Sequence, residues 1–496
     1  MLHKTIVDKL QYQAFDPGML TDLSLATVTE LRAHYVAGIL TPVEVVEAAI
    51  RRIEALNGTL NAICTPNFME ARHLAAEQVV QLSAGRPLPP LFGIPVTVKD
   101  LTDTAGLRTT FGSALYADRV PEADAIVVER LRAAGAILLG KTNTPEFGAG
   151  GNTTNAVFGA TRNPWNTALT SGGSTGGGAV AVATGMGTLA EGTDLGGSLR
   201  TPAAFNGVVG FRTSPGVIPF WPGDDAFDTL WVSGLMGRSV ADVALGTAAL
   251  AGPDARAPQS LATGAVGDLV AALTSPSMAG LRIAFSPDLG GLVPVAAAIR
   301  EACAVAARRF EALGAVVEEA SPDLDGLSEV IMATRSLAMV ASHAERVAEH
   351  RARMNPNLVW SVERGAALTA GAMAKAGRLR SAIWHRMRSF MAHYDILLTP
   401  TASVLPFPVE QSFPTEVDGV QLADYTAWFH LTYAITVLGL PAMSVPCGFA
   451  PGRLPVGMQI VGGWRRDALV VAAAAAFEAA TPDLRGQPPI LAQFAA

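Results

Sequence analysis

Two short segments rich in glycine and serine constrain this chain of 496 residues more than any other feature. They are SGGSTGGG at 171–178 and EGTDLGGSLRTPA at 191–203. The first leads into an apolar stretch, 178–188, that is typical of a buried helix, which argues against a flexible Gly/Ser linker. Because glycines before a serine allow backbone N–H groups to converge on one point, the pattern favours an oxyanion hole beside a serine nucleophile.

A serine nucleophile needs a base, and histidine is the usual one. None of the eight histidines lies between 74 and 342, although the fold could still bring one close. Lysine is the other available base, and Lys99 ends an apolar run that predicts a buried strand over 93–100. Burial at a strand end lowers the pKa of a lysine and favours its neutral amine. The alternative is a surface lysine paired with Asp100.

Strand and helix predictions alternate along the chain, which favours an α/β fold. Helical spacing predicts two helices within 26–83 and another at 124–134, and AILLG at 136–140 is typical of a buried strand. We therefore expect an N-terminal extension, 1–25, followed by one interwoven domain. That domain covers 26–496, with a Gly/Ser core at 148–216 and a variable region that forms the substrate pocket at about 255–432.

Three motifs together resemble those of the amidase signature enzymes. GIPVTVKD at 93–100 is similar to their G-[IV]-P-x-x-[VI]-K-D stretch, and GGSTGG at 172–177 to their GGSSGG. GTDLGGSLRTPAAFNGVVGFR at 192–212 is similar to their G-[ST]-D-x-G-G-S-x-R-x-P-A-x-x-x-G-x-x-G-[LF]-[KR], at matching intervals. The likeness covers most of the chain and is thinner from about 255 to 390. It implies the amidase signature fold, an α/β fold with a large central mixed β-sheet flanked by helices on both faces.

The resemblance also implies a Ser–cisSer–Lys triad. Ser198 matches the nucleophile, Ser174 the bridging serine whose peptide bond is cis in the family, and Lys99 the base. The residues implied to shape the oxyanion turn are Leu195, Gly196, Gly197 and Ser198, which supply N–H groups, and Asp194 and Arg200, which brace it. Thr175 departs from the family, which usually has a second serine there, so we expect different hydrogen bonding around Ser174.

The same resemblance places part of the acyl pocket in the loop before the NPW segment. Its residues are Gly148, Ala149, Gly150, Gly151 and Asn152. Three glycines predict a roomy or mobile wall, although a plain surface turn is the alternative. Further candidates, which could equally belong to the core, are Met332, Trp360, Phe407 and Trp428. Since the loop shows no arginine for a carboxylate, we expect a bulky, neutral aryl or alkyl amide, with esters and carbamates (urethanes) as alternative substrates.

Three other functions fit parts of the sequence. GAILLGKT at 135–142 formally matches the P-loop pattern of nucleotide binders, but its middle residues predict a strand, which makes Lys141 a structural lysine. Some amidase signature proteins are subunits that release ammonia from glutamine for tRNA amidation, and this chain could be one. An inactive relative that only binds is disfavoured because Ser198, Ser174 and Lys99 are all present.

Charge and cysteine content argue against several classes of function. The net charge is −7 and the pI is about 5.7, so we expect neither nucleic-acid binding nor a polybasic membrane patch. Cys64, Cys303 and Cys447 are too far apart to suggest a disulfide framework or a metal site, which fits a cytoplasmic protein. Nothing in the sequence calls for a metal or an organic cofactor, and we expect a monomer or a homodimer.

Overall fold

The computed structural model describes residues 22–274 and 276–494. Most of the predicted N-terminal extension, 1–21, lies outside these residues. The rest of the extension packs into the fold: Leu23–Leu25 form a 3-10 turn whose Ser24 is buried, and Arg52 donates to the Asp22 carboxylate at 2.5 Å.

Eleven strands of the described chain form one mixed sheet, and two short ladders complete the β structure. The strands are β1 (Ile63–Pro66), β2 (Pro95–Lys99), β3 (Ile137–Thr142), β4 (Thr154–Asn155), β5 (Gly159–Ala160), β6 (Leu189–Asp194), β7 (Val209–Arg212), β8 (Val232–Gly237), β9 (Arg282–Phe285), β10 (Val316–Glu319), β11 (Ile396–Pro400), β12 (Glu416–Val417), β13 (Val420–Gln421), β14 (Ala442–Ala450) and β15 (Leu454–Gly462). Their order in the sheet is β1-β3-β2-β6-β8-β7-β14-β15-β11-β9-β10, while β4 pairs with β5 and β12 with β13. The strands β3, β2 and β6 run parallel, as do β11, β9 and β10, and the remaining pairs are antiparallel. This confirms the predicted α/β class with a large mixed sheet.

The helices fill most of the intervals between the strands. They are α1 (Val28–Val36), α2 (Pro42–Leu60), α3 (Phe68–Ser83), α4 (Ile126–Ala133), α5 (Gly176–Thr184), α6 (Arg200–Asn206), α7 (Val240–Leu250), α8 (Ala297–Ala307), α9 (Arg309–Ala312), α10 (Leu327–His350), α11 (Pro356–Ala366), α12 (Ala370–Phe390), α13 (His430–Val437) and α14 (Asp467–Ala480).

The prediction of two helices within 26–83 is wrong in number, because the chain forms three helices and a strand there. Helix α2 ends where Asn61 adopts a left-handed conformation with φ 50°. The chain then forms β1, which pairs antiparallel with β3, before α3 begins. The predicted strand over 93–100 and helix over 124–134 are confirmed by β2 and α4, and Gly135 follows α4 with φ 84°.

The parallel strands bring the candidate site together. Because β2, β3 and β6 are parallel neighbours, their carboxyl ends meet at one edge of the sheet. Helix α5 is buried along its whole length and packs against β2, β6 and β8. Glycine is required at Gly177, since a Cβ there would lie 2.5 Å from the backbone N of Asn143. The first turn of α5 is thereby held against the chain at the carboxyl end of β3, next to the end of β2.

Candidate active site

Lys99 ends β2, and its side chain is fully buried. Its Nζ lies 2.7 Å from Ser174 Oγ and 3.0 Å from Thr193 Oγ1. Burial lowers the pKa of Lys99 to about 7, although the charges of Glu191 and Asp194 oppose this shift. Near neutral pH, a large fraction of this amine is therefore unprotonated and able to accept a proton.

Ser174 stands in the glycine turn that precedes α5, and its side chain is buried. The Gly173–Ser174 peptide bond is cis, as the resemblance implies. The Thr175 N–H donates to the Ser198 carbonyl at 3.1 Å, which ties the two serine segments together. The Thr175 hydroxyl donates to the Thr193 carbonyl at 3.4 Å. The residue that departs from the family pattern thus directs its hydroxyl to the backbone of β6.

Ser198 lies in the turn between β6 and α6. Unlike the buried Lys99 and Ser174, it is partly exposed, and it lines a small cavity of about 30 Å³ together with Leu195 and Gly196. The structure brings together the three predicted catalytic residues from separate segments of the chain, with the predicted nucleophile facing the cavity.

The predicted oxyanion turn is braced by a buried ion cluster. The Asp194 carboxylate accepts the N–H groups of Gly197 at 2.9 Å and Leu199 at 3.2 Å. Arg200 donates Nε and Nη2 to the same carboxylate at 3.0 and 2.9 Å, and Arg212 approaches it at 3.4 Å. Burial opposes ionisation of Asp194, but the two guanidinium groups hold the pKa of this carboxyl well below its usual range. The brace is therefore charged at any working pH.

The brace engages one amide of the predicted oxyanion hole. The Gly197 N–H donates to Asp194 and is not free for a substrate carbonyl in this structure. The remaining candidate donors are the N–H groups of Leu195, Gly196 and Ser198, three residues that line the small cavity.

The predicted acyl-pocket loop is tightly packed, contrary to the roomy wall that its glycines predicted. A Cβ on Gly151 would lie 2.1 Å from the ring of Trp428, so glycine permits a close approach here. Gly148 and Gly150 also line the small cavity, whereas Ala149 is buried outside it.

A larger cavity of about 510 Å³ adjoins the same site. Trp231 lines both cavities, and Thr193, which contacts Lys99, lines the larger one. The apolar walls of the large cavity include Leu101, Phe111, Phe147, Phe220 and Trp221. Helix α10 adds Thr334, Leu337, Ala338 and Ala341, which share one helical face. A bulky apolar group therefore fits beside the predicted catalytic residues.

The formal P-loop at 135–142 is not a loop. Lys141 lies within β3 and is fully buried, and its amine donates to the Thr102 carbonyl and, at 2.8 Å, to Thr104 Oγ1. A phosphate would require a loop that opens into a helix. The structure therefore does not support the nucleotide-binding alternative, and Lys141 occupies a structural position in the sheet.

The family model for amidases matches residues 44–471. The chain belongs to the amidase family. It is 38% identical over 463 residues to the acylamidase of Rhodococcus erythropolis, which covers 93% of this chain and 96% of that protein. It is 36% identical over 465 residues to a subunit of the glutamyl-tRNA(Gln) amidotransferase of Synechococcus sp. (strain CC9605), covering 88% of this chain and 92% of that protein.

Solved structures of amidase signature enzymes share the fold. A bacterial aryl acylamidase of this family superposes with a TM-score of 0.86 at 32% identity, covering 92% of this chain and 96% of that one. The 6-aminohexanoate cyclic dimer hydrolase, in complex with its substrate, superposes with a TM-score of 0.85 at 27% identity, covering 95% and 100%. The predicted family and fold are both confirmed.

Of the four further pocket candidates predicted for this amidase-family chain, one lines a cavity and three do not. Trp428 lines the small cavity. Phe407 packs edge-on against Trp428 with ring centroids 5.6 Å apart, and Trp360 packs against Tyr425 at 5.3 Å. Met332 lines neither of the two cavities. These three belong to the packing around the site.

Sequence reasoning missed several wall residues of the small cavity. Arg335 and Met339 lie one turn apart on α10, and Phe429 precedes α13. The i, i+4 spacing of the first two was visible in the sequence, but nothing local indicates which face of a 24-residue helix turns toward Ser198.

The described ranges, 22–274 and 276–494, contain no group of three or more His, Cys, Asp or Glu side chains that could hold a metal ion. No helix within the same ranges is long and apolar enough to cross a membrane.

Proposed function

We propose that this chain hydrolyses the C–N bond of amides through an acyl-enzyme on Ser198. The observation that carries the proposal is the buried contact of 2.7 Å between Lys99 Nζ and Ser174 Oγ. A lysine whose pKa lies near 7 can act as a base at neutral pH, and an intervening serine can relay the proton. The similarity to an acylamidase and to an aryl acylamidase supports an amide substrate.

In this mechanism, neutral Lys99 takes a proton from Ser174 as Ser174 takes one from Ser198. The Ser198 oxygen attacks the carbonyl carbon, and the N–H groups of the braced turn stabilise the oxyanion. Ser174 then delivers a proton to the leaving nitrogen and is reprotonated by the Lys99 ammonium, which leaves the acyl group on Ser198. Water, deprotonated by the same relay, releases the acid.

The two cavities give the amide an orientation. Ser174 is the proposed proton donor to the leaving nitrogen. The Lys99 amine that contacts Ser174 also contacts Thr193, and Thr193 lines the large cavity. The amine part of the substrate therefore extends into the large apolar cavity. The acyl part lies in the small cavity beside Gly148 and Gly196. A bulky neutral aryl or alkyl amine with a short acyl group fits both, and esters or carbamates present the same carbonyl to the nucleophile.

Replacement of the nucleophile tests the mechanism. Ser198→Ala is expected to lower kcat on an anilide by about 10⁴-fold or more, because the acyl-enzyme cannot form. The measurement is the rate of aniline release, together with mass-spectrometric labelling of Ser198 by a serine-directed phosphonate. Ser171→Ala, in the same glycine segment, is the matched control and should retain turnover. Near-normal turnover by Ser198→Ala would disprove the proposal.

A second candidate function is the release of ammonia from glutamine as one subunit of a tRNA amidotransferase. The observation that favours it is the similarity to the glutamyl-tRNA(Gln) amidotransferase subunit over most of both chains. Ammonia release from glutamine, measured against aniline release from an anilide, separates the two functions. A higher kcat/KM on glutamine would favour the amidotransferase role.

A further inference from the structure

Arg335 is a buried arginine in the wall of the small cavity that holds Ser198. It belongs to α10, is 6% exposed and lines the same cavity as Gly196. Its guanidinium carbon lies 5.6 Å from the ring centroid of Tyr425 and 5.8 Å from that of Phe429. A fixed positive charge thus stands beside the predicted nucleophile.

A directional chain of hydrogen bonds fixes this guanidinium. The Ser361 hydroxyl donates to the Asn357 carbonyl at 2.9 Å, so the Tyr425 hydroxyl, 2.5 Å away, donates to Ser361. The Tyr425 oxygen then accepts Nε and Nη2 of Arg335 at 3.3 and 2.9 Å. Both hydroxyl protons are committed, so Arg335 is held in one orientation while Nη1 is not engaged by Tyr425.

Arg335 forms no ion pair with a carboxylate in the part of the chain that the structure describes. By contrast, the equally buried Arg200 and Arg212 both pair with Asp194. Burial of a guanidinium without a counter-ion is unfavourable in free energy. The partners of Arg335, which are the phenols of Tyr425 and Tyr433 and the ring of Phe429, carry no fixed negative charge and offset only part of that cost. A substrate with an anionic group would supply the counter-ion.

The small cavity limits what that group can be. Its volume of about 30 Å³ leaves room only for a short acyl part. A carboxylate has two oxygens, and it matches the planar fork of a guanidinium better than a single acceptor does. Because this cavity receives the acyl part in the proposed orientation, the carboxylate must lie on that part, one or two carbons from the scissile carbonyl.

We propose that Arg335 binds a carboxylate on the acyl part of the substrate, so that the preferred class is the half-amide of a short dicarboxylic acid with a bulky apolar amine. This inference rests on the proposed amidase function. It also revises the expectation of a wholly neutral substrate, which relied on the absence of an arginine from the loop over 148–152. The arginine comes instead from α10, more than 180 residues later.

Two anilides with the same leaving group provide the test. Malonanilate carries the carboxylate, and 3-methylbutyranilide replaces it with an isopropyl group of similar shape. The wild-type chain is expected to prefer malonanilate in kcat/KM. Arg335→Met is expected to lower kcat/KM on malonanilate by about ten- to a hundredfold, the range of a charged hydrogen bond, and to change the neutral anilide less than about threefold.

The ratio of the two kcat/KM values is the readout, because a ratio within one preparation does not depend on the folded fraction. Arg335→Lys keeps the charge and should recover part of the preference. Tyr425→Phe releases the guanidinium without removing it and should raise the KM for malonanilate several-fold. Arg364→Met, which removes an exposed arginine on α11, is the matched control and should leave the ratio unchanged.

Binding to the Ser198→Ala variant separates this inference from the proposed function. Calorimetry should show that this variant binds malonanilate more tightly than 3-methylbutyranilide, and that Arg335→Met abolishes the difference. If the wild type cleaves neither anilide but this binding difference is present, the proposed function fails and the inference stands. Equal effects of Arg335→Met on both anilides, in turnover and in binding, would overturn the inference.

Discussion

Two lysines on neighbouring strands, Lys99 on β2 and Lys141 on β3, are alike in burial but differ in the groups that their amines contact. Both are fully buried, and burial lowers the pKa of both. In the parallel pairing, Lys99 lies opposite Thr142, whereas Lys141 lies opposite Val98. Since side chains alternate along a strand, the two amines emerge on opposite faces of the sheet.

Their partners differ in what they allow. Lys99 contacts two hydroxyl groups, which can either accept from an ammonium or donate to a neutral amine. Lys141 donates to the Thr104 hydroxyl and to the Thr102 carbonyl, which can only accept, and the charges of Asp100 and Glu191 raise its pKa most. The comparison teaches that burial alone does not make a base; the partners must also tolerate the loss of a proton.

Methionine at each lysine position gives the largest expected difference. Lys99→Met should lower kcat by about 10³-fold or more, since no other group can take the Ser174 proton. Lys141→Met, assayed at a temperature where it is folded, should lose less than about tenfold. Aniline release per active site, counted by phosphonate labelling, is the measurement. Comparable losses in kcat for the two variants would break the comparison.

Stability should reverse the order of the two variants. Burial raises the pKa of Asp100 and Glu191, and the charge of Lys141 opposes that rise. Lys141→Met removes the charge that opposes the rise for Asp100 and the larger of the two lysine charges that oppose it for Glu191, and it should cost about 3–5 kcal/mol of unfolding free energy. Lys99→Met should cost less, because this amine contacts two hydroxyls and, with a pKa of about 7, carries only part of a charge at pH 7 to oppose that of Glu191. Urea unfolding of both variants at pH 7 is the check, and equal midpoints would contradict it.

The pH dependence of turnover gives the smallest effect. The pKa of Lys99 is lowered to about 7, so the amine is neutral above this pH and protonated below it. With an uncharged anilide, kcat/KM should therefore fall about tenfold per unit below pH 7 and be level above it. If kcat/KM instead falls with a midpoint near the ordinary pKa of lysine, burial does not lower the pKa of the catalytic base.

The residues proposed as catalytic were recognisable in the sequence because their signals are local. Ser174 and Ser198 lie in glycine-rich runs, and Lys99 ends a short apolar strand, so each is recognisable within about ten residues. The break at Asn61 was hidden because a four-residue strand follows it with only its first residue buried. The sequence does not show which amide of the oxyanion turn donates to the Asp194 brace, and in the structure it is that of Gly197.

The walls of the two cavities could not be predicted, because the residues that line them come from segments far apart in the sequence. Arg335 lines the same cavity as Ser198 from a helix 137 positions further along the chain, and Tyr425, which orients it, comes from yet another segment. The close fit of Gly151 against Trp428 likewise joins residues far apart in sequence. The glycine pattern showed where side chains are missing, and only the packed structure shows that a tryptophan fills the space.

The brace of the oxyanion turn has a consequence for how the protein is made. Arg200 donates not only to Asp194 but also to Thr436 at 3.0 Å and to Gln459 on β15 at 2.7 Å. These partners are translated 236 and 259 positions later, so a nascent chain contains Ser198 long before all the bonds that fix Arg200 can form. If Ser198 is the nucleophile, as we propose, we expect hydrolytic activity to appear only near the end of synthesis, once β15 supplies Gln459.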